Sequence, residues 1–395
     1  MRPEDLDFLL SPAGRAALDE LHAEQLTPTA HLATAEQLRA RWGADRAGAL
    51  LELAQLRQRA RAKFARAAEM FFTRDGLEQA TAEPVAEHRA GRFAAAGLAV
   101  VADLGCGIGG DALALARSGA AVIAIDREWA HVTLARANAA AHDLADRLLP
   151  VAADLLELSP LPADGFFFDP ARRTPTGPRL APGRRLWSVD DYRPPLSLID
   201  AWRPHVPAGA VKVGPGIDYA ELPAAAEAEF VSLRGEVKEA VLWFGPLRSE
   251  AARRATLLPG GATLTNLDAE TVEVGPPRAY LYEPDGAVIR AHLVGQVAAQ
   301  LGAMLIDPQI AYLTADTAQD TPFAHGYRLE DAFPFQLKRL RGYLRERGVG
   351  QVTIKKRGSP LDPDVLRQAL RLRGDAHRTL FLTQVMGRAT VLVSD

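Results

Sequence analysis

The stretch LAVVADLGCGIGGDALALARSGAAVIAIDRE, residues 98–128, decides the fold of the chain around it. Residues 98–104 form an apolar run of strand length, and a glycine cluster follows directly at 105–110. Helical spacing covers 111–117, and a second apolar run covers 121–125. This order of strand, tight loop, helix and strand predicts one βαβ unit, the building block of a parallel α/β sheet.

The glycine loop has the features of a nucleotide or nucleoside site. Gly105, Gly107 and Gly110 let the backbone turn sharply and approach a ligand, while the helix N-terminus supplies N–H donors. Asp126, which ends the second strand, is placed for two ribose hydroxyls. The spacing also satisfies GxGxxG, so a nicotinamide or flavin dinucleotide is an alternative ligand. Asp103 argues against it, because a carboxylate there repels a pyrophosphate and attracts an ammonium or a sulfonium.

The string DLGCGIGGD, residues 103–111, closely resembles the first motif of class I S-adenosylmethionine-dependent methyltransferases. The resemblance implies a Rossmann-like α/β sheet with S-adenosyl-L-methionine as its cofactor. It also implies that the three glycines cradle the cofactor, with Asp103 at its amino end and Asp126 at its ribose. A dinucleotide-binding fold and a catalytically inactive relative are the alternatives.

Length and composition set the broad class. A chain of 395 residues is long enough for two or three domains, and its net charge of −3 carries no overall basic signal. No apolar run reaches membrane-spanning length, and the acidic start MRPEDLDFLL lacks a signal-peptide pattern. We therefore expect a cytoplasmic protein without a membrane partner.

The single cysteine, Cys106, lies inside the glycine loop. One cysteine excludes a disulfide scaffold and structural zinc, and we expect no metal. Its position in the cofactor loop also argues against a cysteine nucleophile of the kind used in C5-pyrimidine methylation.

The N-terminal region, residues 1–70, has helical periodicity interrupted by Pro12 and Pro28, which predicts three or four helices. Residues 36–69 hold eight basic and four acidic side chains. A solvated helix face and a phosphate-tracking surface are the two interpretations of this excess.

The segment before the first strand, residues 70–92, predicts a helix that begins near Glu83 and Pro84, with Thr81 as its cap. The segment resembles the one that precedes the first motif in trimethylguanosine synthases and related RNA guanine-N2 methyltransferases. That resemblance implies that Thr81 and Glu83 contact the cofactor.

A third predicted strand, residues 148–153, leads into Asp154 and Leu155. By resemblance to the methyltransferase fold, Asp154 accepts a hydrogen bond from the adenine amino group and Leu155 presents its backbone N–H. The alternative for Asp154 is a helix cap or a turn carboxylate.

The predicted catalytic residues follow the apolar strand 165–168. Ligands bind at the carboxyl edge of an open α/β sheet, where Asp169 and the carbonyl of Pro170 can accept hydrogen bonds from an amine and orient its lone pair. Asp169 and Pro170 resemble the first half of the (Asp/Asn)-Pro-Pro-aromatic motif of amino-methyltransferases that act on bases. Ala171 and Arg172 depart from its second half, so the motif itself supplies no aromatic ring to stack on the base, and the target can differ from that of those enzymes.

Trp187 or Tyr192 are the candidates for that ring, with simple packing beneath a loop as the alternative. The same loop is dense in arginine, which favours an anionic substrate such as RNA over a solvated loop without a partner. Its arginines are Arg172, Arg173, Arg179, Arg184, Arg185 and Arg193.

A fifth strand at 210–213 and an antiparallel pair over 231–244 complete the predicted sheet, so we expect a helical region at 1–70, the methyltransferase domain at 71–247 and an α/β domain at 248–395. In the last domain we predict a turn at 283–286, a helix at 293–301, helices near 334–347 and 363–373, and strands at 352–356, 379–385 and 389–393.

The C-terminal domain carries a local excess of positive charge. Residues 335–373 hold eleven basic and three acidic side chains, among them Lys355, Lys356 and Arg357 at a predicted strand end, where they can reach phosphates. The order of its elements and its charge resemble a THUMP-like domain, which implies binding of structured RNA such as tRNA or rRNA. A packing or dimerisation domain is the alternative.

The sequence thus predicts an S-adenosylmethionine-dependent methyltransferase that methylates a base nitrogen in structured RNA, with guanine N2 favoured. The substrate-binding candidates are Arg172, Arg173, Trp187, Lys355, Lys356 and Arg357. A small-molecule methyltransferase and a non-catalytic RNA-binding protein that retains the cofactor fold are the alternatives.

Overall fold

A computed structural model of the chain describes residues 2–21, 27, 30–172, 192–267 and 271–395. The chain forms two compact units. The first unit comprises Met1–Ala226 and Ala240–Ser249, and the second comprises Glu227–Glu239 and Glu250–Asp395. The domain boundaries near residues 70 and 247 stay predictions.

The N-terminal part of the first unit is helical, and the expectation of three or four helices within residues 1–70 is confirmed with four in the described part. Ser11 starts the second of them, because its hydroxyl accepts a hydrogen bond from the N–H of Gly14 and Pro12 occupies the first turn. The helices before the first strand are α1 (Pro3–Leu10), α2 (Pro12–Asp19), α3 (His31–Trp42), α4 (Ala44–Ala60), α5 (Arg74–Gln79) and α6 (Glu83–Ala95).

Strands and helices then alternate up to the third strand, as the sequence predicts, and most of the later elements of this part are strands. The elements that follow are β1 (Val100–Leu104), α7 (Gly110–Arg117), β2 (Ala121–Asp126), α8 (Trp129–Ala141), β3 (Leu148–Ala152), β4 (Gly165–Phe168), β5 (Ala171–Arg172), β6 (Tyr192–Arg193), α9 (Leu198–Trp202), β7 (Ala208–Val213), β8 (Glu227–Leu233) and β9 (Glu236–Phe244).

The sheet of the first unit has the strand order β3-β2-β1-β4-β7-β9. Its strands are parallel except β9, which pairs antiparallel with β7. Leu104 at the end of β1 is in register with Ile125 of β2 and Phe168 of β4, so these three strands end at one edge. That edge is where ligands bind in open α/β sheets, and it carries Gly105, Asp126 and Asp169.

Two local predictions in this unit change. The first strand begins at Val100, because the carboxylate of Asp164 accepts hydrogen bonds from the N–H groups of Ala99 and Val100. Helix α6 begins at Glu83, but Ala82 is its N-cap, so the prediction that Thr81 caps it is wrong. The hydroxyl of Thr81 instead accepts a hydrogen bond from Lys212.

The described part of the second unit contains β8 and thirteen further elements: β10 (Arg253–Leu258), β11 (Ala262–Thr265), β12 (Tyr280–Pro284), α10 (Gly286–Arg290), α11 (Val294–Leu301), β13 (Met304–Asp307), β14 (Ile310–Ala315), β15 (Ala324–Pro334), α12 (Leu337–Glu346), β16 (Val349–Lys356), α13 (Pro363–Leu370), β17 (Ala376–Val385) and β18 (Arg388–Ser394). Strand β8 pairs parallel with β10, and β11 lies beside β10. The other strands form a seven-stranded sheet in the order β13-β14-β12-β15-β18-β17-β16.

The turn expected at 283–286 is wrong. Strand β12 continues through Pro284, and Asp285 caps α10 by accepting a hydrogen bond from the N–H of Ala287. The helix expected from residue 334 begins at Leu337, because β15 runs through Pro334. Helix α12 then packs Leu340 and Leu344 into the core of this unit.

Candidate active site

The glycine loop lies between β1 and α7, and its backbone geometry requires glycine at two points. Gly105 has a φ of +87°, and a Cβ there would lie 3.0 Å from the carbonyl oxygen of Asp169. Gly109, which the GxGxxG spacing does not single out, has a φ of +89° and would place a Cβ 3.3 Å from the Cα of Ala135. A side chain at either position would be strained. The short distance at Gly105 shows that the loop closely approaches the turn after β4, whereas Gly109 packs against α8.

Asp103 is the unusual group at this loop. Its side chain is buried, with 1% of the residue exposed, and neither carboxylate oxygen has a hydrogen-bond partner among the described residues. Burial and the nearby carboxylates of Asp169 and Asp126 raise its pKa to about 8, against the lowering effect of Arg89 and Lys212. A buried carboxylate without a partner fits a ligand that brings its own positive charge, as an ammonium or sulfonium does.

Asp126 lies beside the glycine loop and accepts hydrogen bonds from its backbone and from the residue that precedes α8. Its Oδ2 accepts a hydrogen bond of 2.9 Å from the N–H of Gly107, and its Oδ1 accepts one of 2.9 Å from the N–H of Glu128. His131 Nδ1 lies 3.4 Å from Oδ1, an ion-pair distance. Burial opposes ionisation of Asp126, but His131 and the two N–H donors outweigh it and lower the pKa of this carboxyl. Oδ2, which has only the N–H of Gly107 as a partner among the described residues, keeps a second lone pair that can accept from a ribose hydroxyl.

Cys106 lies in the same loop and is buried. Burial and the neighbouring carboxylates of Asp103 and Asp126 raise the pKa of its thiol well above the usual value. A buried thiol held in its neutral form is a poor nucleophile, in agreement with the sequence argument against cysteine catalysis.

Asp154 and Leu155 follow β3 at the same sheet edge. Asp154 is exposed, and its Oδ1 accepts a hydrogen bond of 2.9 Å from the N–H of Leu156, so it fills the turn role that the sequence left open. Leu155 is buried. Their roles at an adenine stay predictions.

Thr81 and Glu83 are both engaged by protein partners. Lys212 Nζ donates to the Thr81 hydroxyl at 3.1 Å. Glu83 accepts from the N–H of Ala65 at 2.7 Å and from Arg117 at 2.9 Å. The predicted cofactor contact of these two residues remains a prediction.

The turn after β4 carries the predicted catalytic pair. The N–H of Asp169 donates to the carbonyl of Leu104 at 3.2 Å, which ties the turn to the end of β1. Lys212 Nζ lies 2.7 Å from Asp169 Oδ2, and Pro170 is buried. Sequence reasoning missed Lys212, although a charged residue inside the apolar strand AGAVKV was a usable signal.

The predicted substrate loop is described only at its ends. Arg173, Arg179, Arg184, Arg185 and Trp187 lie outside the described residues, as does the side chain of Arg172. Tyr192 is described: its ring is buried, and its hydroxyl accepts a hydrogen bond of 2.8 Å from the N–H of Gly214. These contacts favour packing over base stacking for Tyr192.

Two basic residues of the N-terminal region, Lys63 and Arg57, bind backbone carbonyls of the same unit. Lys63 Nζ donates to the carbonyls of Leu77, Glu78 and Ala80 at the end of α5. Arg57 donates to the carbonyl of Met70 at 2.8 Å. Internal carbonyls therefore satisfy these two cations, an outcome that neither interpretation of the charge excess included.

Two groups of basic residues in the second unit differ in their partners. Lys355 and Arg357 both form ion pairs with Glu283, and Lys356 donates to the carbonyl of Leu361 at 3.2 Å. Four basic residues on α12 or directly after it are exposed, and we call them the α12 basic face: Lys338, Arg339, Arg345 and Arg347.

Metal and membrane features are not found in the described part of the chain. Among the residues that the structure describes, no group of three His, Cys, Asp or Glu side chains is arranged to hold a metal ion. None of the described helices is long and apolar enough to cross a membrane.

Comparison with known proteins shows related families and a related fold. Residues 98–176 match the family model of the RNA cap guanine-N2 methyltransferase, residues 324–395 match that of the THUMP domain-like family, and residues 2–60 match a domain of unknown function. The fold of a proposed methyltransferase from Porphyromonas gingivalis W83 is similar, with a TM-score of 0.71 and 23% identity over 94% of this chain and 98% of that one.

The Rossmann-like sheet, the glycine loop and the buried carboxylate without a partner define a class I methyltransferase fold with a nucleoside-cofactor site. Two uncharacterized S-adenosylmethionine-dependent methyltransferases of Mycobacterium tuberculosis, from strains CDC 1551 and H37Rv, are each 36% identical to the chain over 365 residues, which cover 88% of it and 95% of each relative. The chain belongs to this family of S-adenosylmethionine-dependent methyltransferases, and its C-terminal part is THUMP-like. The predicted fold class, enzyme class and cofactor are confirmed.

The raised pKa of Asp103 predicts that cofactor affinity depends on pH. The predicted role of Asp103 is to bind the cofactor ammonium in its ionised form, and on that prediction the affinity for S-adenosylhomocysteine should fall as the pH drops below about 8. Isothermal calorimetry is expected to show about tenfold weaker binding for each pH unit between 8 and 6. The charged groups around Asp103 are Asp169, Asp126, Arg89 and Lys212. A flat profile would contradict this assignment.

An Asp103→Asn variant separates binding from folding. It is expected to lose S-adenosylhomocysteine binding, yet to melt above the wild-type protein in the absence of ligand. The folded state retains a proton on Asp103 that the unfolded chain releases between pH 3.8 and about 8, so wild-type stability falls as the pH rises through this window. The difference in Tm should therefore grow with pH.

Proposed function

We propose that the protein transfers the methyl group of S-adenosylmethionine to a base nitrogen in structured RNA, such as tRNA or rRNA, with guanine N2 as the favoured target. The observation that carries the proposal is the close approach of the Asp169–Pro170 turn to the glycine loop at Gly105. An amine held by this turn lies beside the cofactor loop. The family-model match over residues 98–176 supports guanine N2.

The chemistry of the turn suits an exocyclic amine. Asp169 Oδ1 has no hydrogen-bond partner among the described residues, and with the carbonyl of Pro170 it provides two acceptors for N–H groups. Accepting both N–H bonds directs the nitrogen lone pair out of the turn. The cofactor supplies an electrophilic methyl group on a sulfonium, so alignment of the amine and exclusion of water are the main tasks of the protein. The carboxylate can take up the proton that the methylated nitrogen loses.

The α12 basic face is the part of the second unit that we propose contacts RNA phosphates, together with Lys356. Exposed lysine and arginine side chains release counterions when they bind a polyanion. Lys355 and Arg357 share Glu283, which offsets part of their charge. The THUMP-like match over residues 324–395 supports an RNA partner for this unit.

Nucleoside analysis tests the function directly. Total RNA and the low-mass metabolites from a strain lacking the gene are incubated with the purified chain and isotopically labelled S-adenosylmethionine, and both fractions are analysed by mass spectrometry after digestion of the RNA. Label in N2-methylguanosine supports the proposal. Label in another methylated base supports RNA methylation but contradicts guanine N2 as the target. Label only in low-mass metabolites would favour a small-molecule methyltransferase, and cofactor binding without any transfer would favour a non-catalytic RNA-binding protein.

Charge reversal on α12 tests the RNA surface. The double variant K338E/R345E is expected to weaken RNA binding and to reduce the salt slope of log Kd by about 1 to 2, because each phosphate contact contributes about 0.7 to 0.9. Filter binding at several salt concentrations measures the slope. The matched reversal R234E/R388E, at exposed arginines of the same unit outside residues 335–373, should leave it nearly unchanged. Equal slopes for both variants would contradict the surface assignment.

A further inference from the structure

Lys212 is a charged residue in an otherwise apolar strand. It lies between Val211 and Val213 near the carboxyl end of β7, and Val211 is in register with Phe168 at the end of β4. Only 16% of its side chain is exposed. A buried ammonium is costly unless partners compensate for the lost hydration, so the partners of this side chain define what it does.

Two partners hold the ammonium, and they come from distant parts of the sequence. Its Nζ lies 2.7 Å from Asp169 Oδ2 and donates to Thr81 Oγ1 at 3.1 Å. Thr81 is buried and precedes α6. Lys212 thus connects the segment before the glycine strand with the turn that carries the predicted acceptor.

The two oxygens of the Asp169 carboxylate have different partners. Oδ2 is occupied by the ammonium, whereas Oδ1 has no hydrogen-bond partner in the described part of the chain. An aspartate side chain rotates about two bonds, so without this contact either oxygen could turn towards a target over a broad range of angles. With one oxygen fixed, the plane of the carboxylate and the direction of Oδ1 are set before a substrate binds.

We propose that Lys212 is a positioning residue for methyl transfer, which holds the Asp169 carboxylate against Thr81 so that Oδ1 and the Pro170 carbonyl meet the N–H groups of the target together. This inference rests on the proposed function of Asp169. A lysine that served only the stability of the fold would not need the acceptor of the reaction as its partner, and buried ion pairs contribute little net stability.

The first test is a split between kcat and KM. Lys212→Met nearly keeps the length of the side chain and removes the charge. We expect it to lower kcat by about 100-fold and to leave KM for RNA nearly unchanged, because misplaced acceptors slow the transfer step without weakening RNA binding. Lys212→Arg keeps a cation and should recover at least about tenfold of that loss. K238M, at an exposed lysine that pairs with Glu236, is the matched control and should retain the wild-type kcat.

A double-mutant cycle shows whether Lys212 acts through Asp169. If it does, K212M in a D169N background should cost less than about threefold in kcat beyond D169N alone, since the group that it positions is already lost. Losses that multiply would overturn the positioning role and leave the proposed function intact. Full activity of D169N would instead overturn the proposed function of Asp169.

A readout without RNA keeps the inference testable if no RNA is methylated. Lys212 lowers the pKa of Asp103, whereas Asp169 raises it. In calorimetry with S-adenosylhomocysteine, K212M should therefore shift the pH midpoint of binding upwards, D169N should shift it downwards, and K238M should not move it. An unchanged midpoint in K212M would show that its ammonium is not among these carboxylates and would overturn the proposal, whatever the substrate proves to be.

Discussion

Replacing Asp169 with asparagine is expected to lower kcat for methyl transfer by about 10³-fold, a loss typical of a lone group that both orients a reactant and accepts its proton. The amide nearly preserves the shape of the side chain. It replaces one acceptor oxygen with an NH₂ donor, and that donor faces either the ammonium of Lys212 or the N–H of the target. Single-turnover transfer from labelled S-adenosylmethionine to RNA measures the effect.

Cofactor binding is the internal control for this variant. Removing the charge of Asp169 lowers the pKa of Asp103, so at pH 7 the affinity of D169N for S-adenosylhomocysteine should equal or exceed that of the wild-type protein. D200N, at an exposed carboxylate on α9, should retain full activity. A D169N variant with more than a tenth of the wild-type rate would show that Asp169 is not the acceptor.

Replacing Arg89 with methionine is expected to lower the free energy of unfolding by about 3–5 kcal/mol, the typical cost of removing one partner of a buried ion pair. Arg89 on α6 is 2% exposed and forms an ion pair with Asp111 in the first turn of α7. Its guanidinium also lies 4.2 Å from the ring centroid of Phe167 in β4. Without it, Asp111 retains a buried charge and three elements lose a shared contact.

Urea denaturation compares this variant with an exposed counterpart. Arg117 pairs with Glu83 and Glu87 at the surface, and R117M should cost no more than about 1 kcal/mol. In the double variant R89M/D111N the uncompensated charge is gone, so part of the lost stability should return. If R89M and R117M are equally stable, the Arg89–Asp111 pair does not stabilise the fold.

Much of the candidate site was predictable because its residues belong to elements that can be recognised locally. Asp126 and Asp169 each follow an apolar run, and parallel strands bring their carboxyl ends to one edge, so the sequence predicts their convergence. The orphaned state of Asp103 was only partly predictable. Its place before the glycines indicated a cationic ligand, but its raised pKa depends on its burial and on the carboxylates of Asp169 and Asp126, which come from other segments of the chain.

Charge counts were the weaker guide. The excess of basic residues at 36–69 gave no sign that Lys63 binds three carbonyls at the end of α5. The run Lys355–Lys356–Arg357 gave no sign of Glu283, which lies 72 residues before Lys355. A composition describes how many charges a segment carries, whereas a surface for RNA depends on which of them lack partners inside the protein.

The sequence by itself determined the βαβ unit, the glycine loop, the acidic ends of β2 and β4 and the methyltransferase class, because these depend on spacing within short segments. Only the tertiary structure decided that Thr81 accepts from Lys212 instead of capping α6, and that the same lysine holds Asp169. Those partners are 131 and 43 residues away. Hydrogen bonds and ion pairs act over a few ångströms, so no local pattern specifies which distant segment folding will bring within that range.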